Sequence, residues 1–269
     1  MACLINALVN LGLRHGVTYE WNADVQTISA TGSLATGVVL QDGRSISADT
    51  VVSNADAGYT LAHLLPVPQK NPRALSGKQY SMGLFVWYFS TNRQYHEVEH
   101  HTILFGNSYR EVLHAIFETL ELGNDLSIYL HRPTATDPHY APAGHDSFYA
   151  LVPVPNLAAK IDWEKQAAPF KALLQAELMR RILPGLANCI VDEHVVTPRY
   201  FSEQLHAPLG SGFSITPKLT QSAGFRFPNR SSTLSNLYFV GAGTHPGAGI
   251  PGVVTSAKVV ERLMFGSVQ

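Results

Sequence analysis

Glycine stands at five of the twelve positions in Gly241-Ala-Gly-Thr-His-Pro-Gly-Ala-Gly-Ile-Pro-Gly252. Bare main chain of this kind can take positive φ and lie in contact with a large flat ligand. The apolar stretch Leu237–Val240 ahead of it reads as a short strand, and Val253 onward reads as a helix. A helix start aims its N–H groups and the positive end of its dipole at a neighbouring anion. A tight structural turn is the competing reading, but a turn needs one or two glycines, and each costs backbone entropy. The loop is not the usual dinucleotide fingerprint. That pattern puts glycine at the first, third and sixth positions, where Pro246 here is sixth, and an acidic residue about 20 positions on. Only Glu261, on the helix, stands in that span. His245, a single histidine in the loop, reads as a positioning residue rather than an acid–base group.

Other residues could do chemistry, and each has a plainer reading. His96-Glu-Val-Glu-His100 matches the H-x-x-E-H zinc pattern, but it follows Thr91-Asn-Arg93 and has no apolar face to bury a helix. A solvated loop is expected there, and no metal. Asp24 and Val25, where a hairpin opens, could meet a nucleotide through their backbone, or simply begin a strand. Asp137, Asp146 and Asp162 lie among loops without visible partners, so solvated surface is expected for each. Phe85, Trp87 and Phe89 could line an apolar substrate channel or fill a core. Cys3 and Cys189 are too far apart in sequence to form a disulfide framework or zinc site and read as reduced thiols.

The elements that must position these residues follow from turn chemistry and periodicity. A helix over 3–15 carries Leu4, Leu8 and Leu11 on one side and stops at Gly16, which reads as a helix rather than a signal peptide. Strands are expected at Val17–Trp21, Val25–Ala30, Thr36–Leu40, Ser45–Ala48 and Asp49–Ser53, with Asp42-Gly43 as a hairpin turn. Pro66, Pro68 and Pro72 mark a linker. Beyond it, strands are expected at Met82–Phe89, Leu126–His131, Ser147–Val152 and Ile190–Val196, and helices at Glu111–Leu120 and Trp163–Ile182. Residues 197–230 read as loop-rich. With 269 residues, the chain can bury a substantial core as one large domain or two. A net charge of −1 argues against nucleic acid as a partner. The low charged fraction, 14%, favours an apolar one. No window approaches the roughly 18 apolar residues of a spanning helix, so any membrane contact is expected to be peripheral.

The segment Gly241–Lys258 resembles the C-terminal signature of bacterial-type phytoene desaturases, which are FAD-dependent carotenoid dehydrogenases. The likeness extends upstream through Ser53-Asn-Ala-Asp56, Leu84–Phe89, His100-His-Thr102, Ser127–His131, Val152–Asn156 and Leu219–Ser222. Family members open with a strand, a Gly-x-Gly-x-x-Gly turn and a helix that hold the ADP moiety. No such segment occurs here, so the chain reads as a C-terminal fragment, expected to be inactive on its own. The resemblance implies an α/β fold: an incomplete Rossmann-like FAD-binding domain over 1–60 and 230–269, and a mixed α+β substrate-binding domain over 61–229. It implies that Gly243 and Thr244 approach the pyrophosphate or ribityl chain. Ile250, Pro251, Gly252 and Val253 would lie near the isoalloxazine, Asp24 and Val25 near the adenine, and Gly241 and Gly249 would also belong to the cofactor site. The implied chemistry is desaturation of phytoene, a long apolar polyene, by hydride transfer from an allylic carbon to flavin. No catalytic base is assigned. The implied location is cytoplasmic and peripherally membrane-associated. A related flavoprotein (a carotenoid isomerase or amine oxidase) and a non-catalytic carotenoid-binding remnant are the rival readings, with a zinc hydrolase last.

Overall fold

The computed structural model describes residues 2–66 and 77–266. Helix α1 (Ala2–Arg14) ends where Gly16 takes a left-handed φ of 78°. Its apolar side, with Leu4, Leu8 and Leu11, is exposed. Val17–Trp21 is not the expected strand. Among the described residues nothing pairs with it, and Tyr19 and Trp21 stack at 5.6 Å instead.

An antiparallel meander follows, made of β1 (Val25–Thr31), β2 (Leu34–Leu40) and β3 (Ser45–Ser47). Gly43, in the turn between β2 and β3, has a φ of 87° that only glycine adopts cheaply. Next comes β4 (Val51–Ser53), which pairs in parallel with a strand near the other end of the chain. Asp56 then caps the short helix α2 (Ala57–Tyr59), accepting the Gly58 and Tyr59 N–H groups at 2.8 and 3.3 Å. The helix winds on as a wider turn over Thr60–Leu64. Of the expected linker prolines, Pro68 and Pro72 lie outside the described residues.

The larger sheet has five antiparallel strands: β5 (Gly83–Thr91), β6 (His101–Leu104), β7 (Ile128–His131), β8 (Asp146–Val154) and β9 (Ile190–Val196). Their order is β6-β7-β8-β5-β9, and β5 pairs with β8 along its whole length, from Gly83 opposite Val154 to Thr91 opposite Asp146. Helix α3 (Tyr109–His114) bridges β6 and β7, and α4 (Trp163–Arg181) covers one sheet face. Asp162 caps α4 through the Lys165 N–H at 3.4 Å. Then come α5 (Pro198–Glu203), the strand β10 (Leu237–Phe239) that partners β4, and α6 (Ile250–Phe265).

Two apolar cores result. One packs the larger sheet against α4, with Phe85, Trp87, Phe89, Phe148, Phe170, Leu174 and Leu178 inside. The other joins the meander to the β4–β10 pair through Ile28, Leu61, Ile215, Phe227, Leu237 and Phe239. Phe85 and Trp87 are 0% exposed, and Phe85 packs on Phe170 with ring centroids 4.9 Å apart. These side chains are therefore core rather than channel wall. Strand residues alternate between faces, so Leu84, Val86 and Tyr88 face away from α4; Leu84 and Val86 join a smaller cluster with Val196, Met82, Leu151 and Phe201, while Tyr88 is exposed.

The aspartates also divide. Asp137 and Asp162 are exposed caps, as their solvated reading expected. Asp146 is buried instead. It accepts the Arg132 Nε–H at 2.9 Å, the Thr134 hydroxyl at 2.6 Å and the Tyr95 backbone N–H at 2.7 Å. Arg132 is buried as well and donates to the Val98 carbonyl at 2.7 Å. A buried carboxylate survives only with such pairing. The partners come from the turn just after β7 and the loop after β5, which sequence distance does not reveal.

Candidate functional site

The glycine loop connects β10 to α6. At its start Gly241 has a φ of 110°, and its N–H donates to Ser256 Oγ at 2.9 Å. Ser256 in turn donates to the Val253 carbonyl at 2.6 Å, fastening the loop to the helix. A Cβ at Gly241 would lie 3.1 Å from Asn54 Oδ1, and one at Gly243 only 2.7 Å from Ser214 Oγ. Farther on, Gly252 approaches its own loop so closely that a Cβ would sit 2.5 Å from the Gly247 carbonyl oxygen. Glycine is required at these places by packing. Gly249 is different: it has a φ of 91°, its Cβ position meets nothing within 4 Å, and Gly249, Ile250 and Pro251 are exposed. Helix α6 begins here, where its first N–H groups have no partner within the helix.

Gly241, Gly243 and Thr244 are buried. Thr244 is fully buried, and its hydroxyl donates to the Gly241 carbonyl at 3.0 Å, closing the loop on itself. Val253 donates its N–H to the Gly249 carbonyl at 2.8 Å, opening the helix. Asp24 is exposed, with its carbonyl accepting the Gln41 N–H at 2.8 Å, and Val25 opens β1 opposite Leu40. His245 is exposed and precedes a cis peptide bond to Pro246. The His96–His100 segment is irregular, as its loop reading expected, and His96 is exposed.

Arg226 was not anticipated. Its guanidinium is buried under the loop and donates to three carbonyls: Nε to Thr244 at 3.0 Å, Nη2 to Ala242 at 2.5 Å and Nη1 to Gln221 at 3.4 Å. Burial pulls its pKa down, and the charge of Asp56 opposes that pull. Asp56 accepts the Ser214 hydroxyl at 2.5 Å beside Gly243. Burial raises the Asp56 carboxyl above its ordinary value, while the bonds from Ser214, Gly58 and Tyr59 and the charge of Arg226 draw it down. Asn229 adds bonds to the carbonyls of Phe239 and His245 at 3.2 and 3.1 Å. The only sequence signal for this clamp is a run of polar residues just ahead of an apolar strand. An arginine that grips carbonyls leaves no spacing pattern to read.

Beside the loop lies a cleft of about 390 Å³. Its walls are mostly apolar, with Met82, Phe117, Phe213, Ile215, Pro217 and Pro246, and Arg226, Ser81 and Ser222 supply the polar atoms. Gly247 and Ala248 form its rim on the loop side.

A parallel strand pair, a glycine loop and a helix start beside an apolar cleft form part of a Rossmann-like arrangement. The chain belongs to the flavin containing amine oxidoreductase family, whose profile matches residues 1–260. It is 46% identical to a lycopene-forming phytoene desaturase of Pseudescherichia vulneris, over 99% of this chain and 55% of that protein. It is 45% identical to a neurosporene-forming phytoene desaturase of Rhodobacter capsulatus, over 97% of this chain and 52% of that one. The chain thus spans about half the length of the curated relatives it matches. Among solved structures it is similar to an oxidoreductase from Methanosarcina mazei, with a TM-score of 0.62 at 18% identity over 96% of this chain and 53% of the other. It is also similar to wild-type putrescine oxidase, with a TM-score of 0.56 at 16% identity over 90% of this chain and 49% of the other. At such identities the likeness establishes the α/β fold alone.

Proposed function

We propose that this chain forms the cofactor-loop and substrate portion of an FAD-dependent phytoene desaturase of carotenoid biosynthesis. The observation that carries the reading is the bare main chain at Gly249, open to the outside at the start of α6 and next to an apolar cleft. Nothing lies within 4 Å of a Cβ built at Gly249, which leaves room for a flat ring against the main chain. Names of the relatives, phytoene desaturases at 41–46% identity, supply the substrate class.

In this reading, residues 1–60 and 230–269 belong to the cofactor domain and 61–229 to the substrate domain. Gly249, Ile250, Pro251, Gly252 and Val253 lie along the ring, and Asp24 and Val25 toward the adenine end. Bound FAD would accept a hydride from an allylic carbon of the polyene. The residues of this chain hold the reactants and keep water out. Arg226 fixes the loop carbonyls in place, so the main chain at Gly249 keeps one geometry. Met82, Phe117, Phe213 and Ile215 give the polyene an apolar wall. Phe213, which lines the cleft, and Leu209, Leu219 and Phe225, close to it in sequence, are exposed, which supports docking on a bilayer that stores the substrate. No described helix is long and apolar enough to cross a membrane.

The test is a chimera. The chain, fused behind the segment of the Pseudescherichia vulneris relative that precedes the matched region, should bind flavin and turn phytoene in liposomes into coloured polyenes. Replacing Gly249 with Val should abolish both. A chimera that retains flavin but leaves phytoene unchanged refutes the desaturase reading.

A further inference from the structure

A second cluster lies at the far edge of the larger sheet, away from the glycine loop's residues. His100, His101 and His131 each offer a ring nitrogen, and these nitrogens all lie within 4.8 Å of one another. Strand pairing builds the cluster: His101 stands opposite His131 in the β6–β7 ladder, and the Arg132 N–H donates to the His100 carbonyl at 2.9 Å. The side chains then meet, with His100 Nε2 at 2.9 Å from His131 Nε2.

Proton counting shows what this arrangement lacks. A neutral imidazole has one N–H and one lone pair. His100 Nδ1 bonds the Thr136 hydroxyl, and His101 Nδ1 bonds the Tyr129 hydroxyl at 2.7 Å. When each Nδ1 donates its hydrogen, the Nε2 of both rings keeps a lone pair. Metal-bound histidines are oriented in this way, by an oxygen that accepts the N–H of the far nitrogen. Between His100 and His131 only one proton fits, and His131 Nδ1 is buried with no partner. Buried ring nitrogens are normally satisfied; coordination through His131 Nε2 would leave that Nδ1 unchanged, so the case for an ion rests on the convergence of the three rings.

We propose that His100, His101 and His131 bind one divalent transition-metal ion. Three imidazoles without a carboxylate or thiolate suit zinc(II) or cobalt(II) and disfavour magnesium and calcium. His101 is exposed, which leaves the ion a path in and a fourth position for water. This site is not the H-x-x-E-H pattern: His96 stands outside it, and two of its ligands come from paired strands.

The experiment uses the full chain, stripped with a chelator and titrated with cobalt(II), with zinc(II) read by competition against a chromophoric chelator. One equivalent should bind with visible tetrahedral cobalt bands. His101→Gln, at an exposed position, should weaken binding by more than about 100-fold, and Tyr129→Phe by about 10-fold. His96→Gln should leave binding unchanged. X-ray absorption of the zinc-loaded chain should show imidazole nitrogens at about 2.0–2.1 Å, a readout that needs no variant. No cobalt uptake by the native chain overturns the proposal. So does native affinity in His101→Gln, or an equal loss in His96→Gln.

Discussion

Replacing Arg226 with Met tests how the glycine loop is held. The native guanidinium makes two short bonds to loop carbonyls, at 3.0 Å to Thr244 and 2.5 Å to Ala242, and a weaker one at 3.4 Å to Gln221. A hydrogen bond to a charged group contributes about 1.5–3 kcal/mol, so the two short ones total about 3–6 kcal/mol. Keeping a guanidinium out of water takes part of that back, as the lowered pKa of Arg226 indicates. The expected net loss is about 3 kcal/mol, near the lower end of that range. With a urea slope of about 3 kcal/mol/M, the unfolding midpoint should fall by about 1 M. Arg226→Lys should recover only part of this, because an ammonium lacks the planar fork whose separate nitrogens reach the two carbonyls. Hydrogen exchange should quicken at the Gly243–Gly247 amides in both variants. A midpoint shift below about 0.3 M for Arg226→Met, or a lysine variant as stable as the native chain, would refute the clamp.

Three further outcomes follow from other residues. Asp146→Ala strands the buried guanidinium of Arg132 and should cost about 3–5 kcal/mol, read by urea unfolding. Asp56 has its pKa raised by burial above the ordinary 3.8, so the folded chain holds that proton more tightly than the unfolded chain. Its contribution is therefore complete below 3.8 and fades as pH rises through the raised value; Asp56→Asn should flatten that decline in a stability–pH series. Leu219→Glu with Phe225→Glu should weaken flotation with liposomes, by about 100-fold if each side chain contributes about 1.5 kcal/mol or more to insertion; unchanged flotation would remove this face from the membrane contact.

Turn chemistry and periodicity made most elements legible. Gly16 and the Asp42-Gly43 pair set boundaries that local conformation alone decides. The strand expected at Val17–Trp21 did not form because a strand needs a neighbour, and its residues have none among those described. Conversely β6 went unread: it is four residues long and opens with His101-Thr102, so it shows no strong apolar alternation. The glycine loop was legible as the link between a short strand and a helix, but which glycines open outward was not. Gly241 and Gly243 are bare because Asn54 and Ser214 crowd them, and those contacts arise only when the chain folds back. Arg226 and Asp146 were missed for the same reason. Their partners are assembled by tertiary structure, and a lone charge in a loop looks solvated until they are known. Phe85, Trp87 and Phe89 were ambiguous between wall and core because both roles want the same side chains, and only the position of α4 decides.

The alternation along β5 separates two kinds of evolutionary freedom within nine residues. Odd-numbered positions from Phe85 to Phe89 interlock with α4, so their shapes are tied to folding. Even-numbered neighbours Met82, Leu84 and Tyr88 sit on the opposite side, where Met82 borders the cleft and Tyr88 remains 45% exposed. Under the proposed desaturase function, directed evolution for new polyene lengths should therefore diversify Met82 and Tyr88 and leave both the odd register and the buried Leu84 and Val86 untouched. A library built that way alters what the protein accepts without first eroding its capacity to fold.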